Sequence, residues 1–162
     1  VNSFIKKRLE SALWLFRSIE QRRMTLYKVT EQIIKIQKPF LEKGIHFLKP
    51  LTLKDVADKI GMHESTVSRA TSNKYVQTPR GLYSLKFFFP SSVGGVRGEE
   101  YSVLSIKARL KRLVEEEKPD SPYSDRQLKE LLEIQGIQLS RRTVTKYRKE
   151  LGIPTSSQRR RI

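Results

Sequence analysis

The amino-acid sequence predicts a mostly α-helical protein with two helix-turn-helix modules. Apolar residues recur at steps of three and four along much of the 162-residue chain, which is the period of an α-helix. Two segments, near residues 51–73 and 124–152, each contain two short helical patterns separated by a glycine. The formal net charge of +16 indicates a polyanionic partner, with nucleic acid as the first candidate.

The first 50 residues are dominated by a predicted long helix over residues 3–43. No proline occurs before Pro39 and no glycine before Gly44. Such a helix would be roughly 60 Å long, so its apolar stripe needs a partner chain, a partner domain or a coiled-coil mate. Polar residues at 23, 30 and 37 weaken the coiled-coil interpretation. The stripe consists of Ile5, Leu9, Ala12, Phe16, Ile19, Leu26, Ile33 and Phe40.

The first helix-turn-helix is predicted within residues 51–90. Thr52 and Asp55 have the spacing of a capping box, which begins a helix. Ala57 allows the second helix to approach closely, and Gly61 occupies the turn. The residues expected to pack the two helices together are Val56, Ile60, Val67 and Ala70.

The second helix of this module, over about residues 63–73, is a candidate DNA-binding element. With Val67 and Ala70 turned inward, one face points outward and carries a single charge. Arg69 can donate hydrogen bonds to bases, and the serines suit phosphate contacts or close packing. A helix-turn-helix used for protein contact is the alternative. The outward residues are Ser65, Ser68, Arg69 and Ser72.

The segment after this helix predicts a small wing-like hairpin, with strands near residues 75–77 and 82–85. Pro79 and Gly81 suit the turn between them. A short helix over 82–89 is the competing prediction. The glycine- and serine-containing residues 91–98 predict a flexible linker. Residues 99–118 then predict a helix about 30 Å long, comparable with one turn of DNA.

The second helix-turn-helix lies in the last predicted domain, residues 99–162. Ser124 and Gln127 form a second capping-box pattern, and Gly136 marks the turn. Ser140 is a good N-cap for the following helix, and Gly152 a good stop. Eight residues separate Gly136 from the inward-facing Val144, so this turn is predicted to be longer than the first.

The helix that begins after Ser140 is the main candidate for DNA recognition. Val144, Tyr147 and Leu151 fall on one face, which would anchor it. The opposite face and its flanks are basic, as a major-groove helix requires, although a solvated surface helix is equally compatible with the pattern. Arg141 and Arg142 are candidate guanine contacts, and Lys146, Arg148 and Lys149 are candidate phosphate contacts. The candidate residues are Arg141, Arg142, Thr145, Lys146, Arg148 and Lys149.

Composition argues against a metal site, a cofactor or catalysis. The chain has no cysteine, and its two histidines, His46 and His63, lack a neighbouring ligand pattern. The three carboxylates at 115–117 are interpreted as a solvated helix end. No apolar run approaches the ~20 residues of a membrane span. A DNA recombinase using Tyr147 is an unfavoured alternative, because that residue belongs to the apolar face.

Charge supports the division into segments 1–50, 51–90, 91–98 and 99–162. Residues 1–50 carry 11 basic against 4 acidic side chains, and residues 121–162 carry 10 against 4. Between them, residues 91–120 carry 6 of each. Two basic modules joined by a neutral connector are therefore expected.

The decapeptide from Ser140 to Lys149 closely resembles the RpoN box, the signature of the sigma-54 family of bacterial sigma factors. Serine replaces the usual alanine at 140 and lysine the usual glutamate at 149, while the central Arg-Arg-Thr-Val and Lys-Tyr-Arg are intact. The stretches at 64–69 and 74–86, and the tail at 151–159, also resemble that family. The resemblance covers nearly the whole chain.

The resemblance implies a cytoplasmic factor that brings core RNA polymerase to double-stranded promoter DNA. In that family the RpoN-box helix binds an upstream GG-containing element in the major groove. The earlier helix-turn-helix lies near a downstream GC-containing element, where Arg69 corresponds to a DNA-contacting position. An ATP-hydrolysing activator acts through regions largely absent from this chain. The chain is therefore expected to bind promoters without initiating transcription. Another two-module regulator, or a polymerase-binding scaffold, is the alternative.

Overall fold

The computed structural model is mostly helical, as predicted, and describes residues 2–94 and 100–160. These residues form two compact units. The first combines residues 2–36 with 52–87, and the second combines 37–51 with 88–94 and 100–160. The helices in chain order are α1 (Asn2–Ile36), α2 (Lys38–Lys43), α3 (Leu53–Ile60), α4 (Glu64–Thr71), α5 (Val103–Glu115), α6 (Asp125–Ile134), α7 (Arg141–Glu150) and α8 (Ser156–Arg159).

The predicted helix over 3–43 is two helices, α1 and α2, that are interrupted at Gln37. The Gln37 side chain is completely buried. Its amide donates to the carbonyl of Lys49 at 2.8 Å and accepts from the Lys49 amide at 3.0 Å. Phe40 packs edge-on against Phe88, with ring centroids 5.7 Å apart. These contacts place residues 37–51 with the second unit, whereas the sequence assigned them to the same segment as α1.

In the first unit, α1 packs against the helix-turn-helix pair α3 and α4. The buried face of α1 consists of Thr25, Val29 and Ile33, which recur at four-residue steps. Of the predicted stripe in α1, only Ile33 is fully buried. Its members from Ile5 to Ile19 are exposed.

The α3 and α4 pair forms as the sequence predicted. The Thr52–Asp55 capping box is present, with the Thr52 amide donating to the Asp55 carboxylate at 2.8 Å. Gly61 ends α3 in the left-handed region at φ 65°, a conformation that favours glycine. On α4, Val67 is completely buried. Its second buried residue is Thr71, however, whereas the predicted Ala70 is only half-buried.

The predicted hairpin is present as β1 (Tyr75–Thr78) and β2 (Gly81–Ser84), which pair antiparallel. A short 3-10 helix, Leu85–Phe88, follows, so the hairpin replaces the alternative helix over 82–89. Leu85 and Phe88 are buried, which supports a core role for the apolar run.

The predicted linker and the start of the predicted helix over 99–118 differ from the structure. Ser92–Gly94 forms β3, which pairs antiparallel with β4 at Glu100–Ser102. Residues 95–98 of the linker, and residue 99, lie outside the described residues. Helix α5 has 13 residues and is therefore about 20 Å long, too short to match one DNA turn. It forms part of the domain core, because Ile106 and Leu110 are completely buried.

The core of the second unit is assembled by α5, α6 and α7 around the second helix-turn-helix. The Ser124–Gln127 capping box begins α6 as predicted. Gly136 turns the chain at φ 86°, where a Cβ atom would meet the Tyr101 hydroxyl at 3.0 Å. The buried core residues are Ile106, Leu110, Leu128, Leu132, Ile137, Leu139, Val144 and Tyr147.

Candidate nucleic-acid interface

Helix α7 is anchored at both ends and along one face. The Ser140 hydroxyl accepts a hydrogen bond from the Thr143 amide at 3.1 Å, which caps the start of the helix. Val144 is completely buried and Tyr147 is 8% exposed, so both insert into the core. Gly152, at φ 67°, follows the last turn. The anchoring face and the stop therefore lie where the sequence predicted them.

The opposite face of α7 is basic and open to solvent. Arg141, Arg142, Lys146 and Lys149 are all exposed. Lys146 Nζ is 3.9 Å from Glu150 Oε1, which is a long distance for an ion pair. Within the described part of the chain, Arg142 and Lys149 form no salt bridge. Four positive side chains on one helical face, largely without neutralising carboxylates, make a surface that attracts a polyanion.

Arg148, which the sequence assigned to phosphate contact, does not belong to this exposed face. It is only 4% exposed. Its Nε donates to Asp125 Oδ1 at 2.7 Å, its Nη2 donates to Asp125 Oδ2 at 3.3 Å, and its Nη1 donates to the Ile153 carbonyl at 2.7 Å. The guanidinium thus forms its hydrogen bonds within the protein, and these bonds join α7 to α6 and to the turn after α7.

The contact with Arg148 also lowers the pKa of the Asp125 carboxyl group. Burial acts to raise the pKa of Asp125, but hydrogen bonds from Arg148 and Thr145, together with the charges of Arg148 and Arg141, lower it below the ordinary value. Asp125 therefore remains ionised near neutral pH. An ionised carboxylate is the form that a bidentate arginine contact requires.

Thr145 lies on the basic side of α7 but is only half-exposed. Its hydroxyl is 2.8 Å from Asp125 Oδ2 and 3.0 Å from the carbonyl oxygen of Arg141. Both contacts are hydrogen-bond distances to acceptors, so the hydroxyl hydrogen is directed into the protein. The structure thereby brings two candidate residues, Thr145 and Arg148, onto one carboxylate that sequence reasoning missed.

The last turn of α7 is fastened to α5. Lys107 Nζ is 2.6 Å from Glu150 Oε2 and 5.5 Å from the centre of the Tyr147 ring. Burial raises the pKa of the Tyr147 hydroxyl. These contacts fix the C-terminal half of α7 on the side away from Arg142 and Lys149.

A second buried ion pair holds the C-terminal tail. Arg159 Nε is 2.6 Å from Glu117 Oε1, and Arg159 Nη2 is 2.8 Å from Oε2. The Tyr123 amide also donates to Glu117. Burial acts to raise the pKa of Glu117, and these hydrogen bonds more than offset it, so the pKa is lowered. Glu117 is therefore not part of a solvated helix end, in contrast to the interpretation from sequence.

The candidate residues of the first helix-turn-helix are less uniformly placed. Ser65 and Arg69 are exposed on α4. Ser65 Oγ lies 2.8 Å from His63 Nδ1 at the helix start. Ser68 and Ser72 are half-buried, and the Ser72 hydroxyl donates to the Ser68 carbonyl at 2.8 Å. Ser72 follows the helix rather than belonging to it.

Arg69 lies beside a groove between α1 and α4. The groove encloses about 460 Å³, and no carboxylate is among its lining residues. Arg22 and Lys74 line it together with Arg69, so this surface is also cationic. Its remaining lining residues are polar or apolar and uncharged: Ser18, Gln21, Thr25, Leu26, Thr66 and Ala70.

The described residues contain neither a metal-ligand cluster nor a membrane-spanning helix. No three histidine, aspartate or glutamate side chains among them are grouped as ligands of a metal ion. None of the helices in these residues combines the length and the hydropathy that a membrane span requires.

Comparison with known families gives a match over almost the entire chain. The family described as "Sigma-54, DNA binding domain" matches residues 2–161. The chain is 48% identical to the RNA polymerase sigma-54 factor of Azotobacter vinelandii and 45% identical to that of Escherichia coli K12, with 99% of the chain aligned in each case. It covers 32% and 34% of those proteins, so it spans about a third of the length of these curated relatives.

A solved structure gives the same result. The chain is similar to sigmaN in the crystal structure of Aquifex aeolicus sigmaN bound to promoter DNA. The sequence identity is 42% and the TM-score is 0.67. The alignment covers 96% of this chain and 48% of that one.

Proposed function

Because the chain belongs to the sigma-54 DNA-binding domain family, we propose that it binds double-stranded promoter DNA in a sequence-specific manner. The observation that supports this most strongly is the exposed basic face of α7. Arg141, Arg142, Lys146 and Lys149 are exposed on a helix whose other face is buried in the domain core. A helix anchored in the core with such a face suits the major groove.

Within this proposal, α7 binds the upstream GG-containing element. Arg141 and Arg142 at the start of the helix donate to guanine O6 and N7, the commonest specific contact in the major groove. Lys146 and Lys149 contact phosphates. Arg148 is left out of the DNA contact, because its guanidinium is committed to Asp125 and Ile153.

The first helix-turn-helix engages the downstream GC-containing element in this proposal. Arg69 is its main contact, supported by its exposure and by the cationic groove that it shares with Arg22 and Lys74. Ser65 is placed to contact a phosphate, whereas the Ser68 and Ser72 positions are more confined. The whole protein would bring core RNA polymerase to the promoter and respond to an ATP-hydrolysing activator.

The proposal is tested with the chain and two labelled duplexes, one carrying both promoter elements and one with both elements scrambled. Fluorescence anisotropy at fixed salt gives a dissociation constant for each duplex and hence a specificity ratio. Arg142→Ala should lower this ratio by about 5- to 150-fold, since a bidentate guanine contact is worth about 1–3 kcal/mol. Lys111→Ala is the matched control. Lys111 is an exposed cation on α5, with 65% of its side chain accessible.

Specific binding and the role of Arg142 would be rejected by different results. A wild-type chain that binds both duplexes equally would reject specific binding and favour a basic scaffold. A specific wild-type chain whose Arg142→Ala variant keeps the same ratio would reject the role of that arginine alone. A recombinase that uses Tyr147 is disfavoured, because its side chain is packed in the core.

A further inference from the structure

The Asp125 carboxylate joins three segments of the second unit. It belongs to the first residue of α6. Two nitrogens of Arg148 and the hydroxyl of Thr145 contact it from α7. Arg148 in turn contacts the carbonyl of Ile153, beyond the end of α7. Side-chain exposure is 16% for Asp125 and 5% for Arg148, so these contacts are shielded from water.

We propose that Asp125 is a positioning residue for specific DNA binding, because it fixes the rotation of α7 about its own axis and thereby the directions of Arg141 and Arg142. The inference rests on the proposed function of α7. Asp125 itself need not touch DNA in this role. Its effect reaches the bases through the helix that it holds.

The contacts are suited to fixing rotation. Thr145 and Arg148 are three residues apart, so they leave α7 at points separated by about 60° around the axis and roughly 4.5 Å along it. Two attachment points at different angles, on one carboxylate, leave little freedom for the helix to turn. The apolar contacts of Val144 and Tyr147 are less directional than a bidentate ion pair, and the Lys107–Glu150 ion pair holds only the last residue of the helix.

A small rotation would matter at the base-contacting side chains. A guanidinium extends on the order of 9 Å from the helix axis, so a turn of about 15° displaces it by roughly 2 Å. A displacement of that size breaks a bidentate hydrogen bond, which tolerates only a few tenths of an ångström. Phosphate contacts by long lysines, such as Lys146 and Lys149, adapt more easily. Loss of the Asp125 contact should therefore reduce specificity more than overall affinity.

The Glu117–Arg159 pair provides a matched control for general loss of stability. It is also a buried carboxylate with a bidentate arginine, and its side chains are 7% and 10% exposed. It holds the Tyr123 amide and α8 and includes no residue of α7. Glu117→Gln therefore disturbs the same domain through the same chemistry without releasing α7.

The test measures the specificity ratio of the full chain on the two duplexes described above, at a temperature where circular dichroism shows each variant fully folded. Asp125→Asn should lower the ratio about tenfold, and Glu117→Gln should leave it within about twofold. In an Arg142→Ala background, Asp125→Asn should lower the ratio by less than about threefold further, because one of the two guanine contacts that Asp125 aligns is already gone. Asp125→Glu should restore part of the ratio.

Arg148→Lys supplies a second variant if Asp125→Asn does not fold. It keeps the buried positive charge but loses the planar guanidinium that contacts both carboxylate oxygens of Asp125. It should lower the ratio in the same direction. The inference is overturned if both variants keep the wild-type ratio, if Glu117→Gln lowers it equally, or if Asp125→Asn and Arg142→Ala act additively. Equal binding of the wild-type chain to both duplexes would instead overturn the proposed function.

Discussion

Replacement of Arg148 or its neighbour Lys149 by alanine distinguishes a structural cation from one that we propose to contact DNA. Each substitution removes one positive charge from the same turn of α7. Arg148 is buried against Asp125, whereas Lys149 is exposed and has no salt-bridge partner among the described residues. The structure therefore predicts opposite results, although the sequence assigned both residues to phosphate.

The expected loss of stability in Arg148→Ala follows from the partners left behind. Asp125 would keep its hydrogen bond to Thr145 but lose both guanidinium contacts, and the Ile153 carbonyl would lose its donor. Removal of one member of a buried ion pair costs about 3–5 kcal/mol. The partial exposure of Asp125, 16%, lets water solvate the orphaned carboxylate, so we expect the lower end, about 3 kcal/mol.

Urea unfolding followed by amide resonances of α6 and α7 measures this loss for the second unit alone. A cost of about 3 kcal/mol corresponds to a midpoint shift of about 1–3 M urea. Lys149→Ala should change the unfolding free energy by less than about 0.5 kcal/mol. DNA binding then gives the converse result. The slope of log K against log salt should fall by about 0.9 for Lys149→Ala and remain unchanged for folded Arg148→Ala.

One result would directly refute the structural role of Arg148. If Arg148→Ala retains wild-type stability and flattens the salt dependence by the same amount as Lys149→Ala, Arg148 contacts phosphate in solution. The buried pair with Asp125 would then not describe the DNA-bound protein.

Two further predictions concern the stability of the second unit. Gly136→Ala should destabilise it by more than about 1 kcal/mol in urea unfolding, because φ is 86° and the new Cβ would meet the Tyr101 hydroxyl at 3.0 Å; Gly94→Ala, with open space around it, is the control and should be near neutral. Burial acts to raise the pKa of Asp125 and of Glu117, but hydrogen bonds from their arginines lower it. The stability that these groups contribute should be complete above their ordinary pKa and lost as pH falls through the lowered values. Urea titrations between about pH 5 and pH 2 should show this loss of unfolding free energy. The loss should be smaller in Asp125→Asn than in the wild-type chain. An equal loss in both proteins would contradict the stabilising role given to the ionised Asp125.

The parts of the fold set by local chemistry could be predicted from the sequence. Capping boxes at Thr52 and Ser124, and left-handed turns at Gly61 and Gly136, depend on residues within one helical turn of each other. These signals gave the beginnings of α3 and α6 and the turns that follow them. The hairpin after α4 was predicted for the same reason.

The prediction was wrong where tertiary contacts decide the outcome. Gln37 looks like a polar interruption of an apolar stripe, but its amide is satisfied by the backbone of Lys49, twelve residues away. The glycine-containing segment after Pro90 looks like a linker, but β3 finds a partner in β4. Glu117 looks solvated from its neighbours in the sequence, but it binds Arg159, which lies 42 residues further along the chain. No local pattern encodes these pairings.

The burial of Arg148 is different, because its position in the sequence carried the information. Val144, Tyr147, Arg148 and Leu151 have the spacing i, i+3, i+4 and i+7, which is the complete buried stripe of a helix. A charge on that stripe must have a buried partner, since an unpaired charge is too costly to bury. An acidic residue at the start of the preceding helix is well placed to supply it. Asp125 occupies that position directly after the predicted cap, Ser124. In a basic helix proposed to bind DNA, we therefore expect the arginine that falls on the apolar stripe to stay out of the DNA contact.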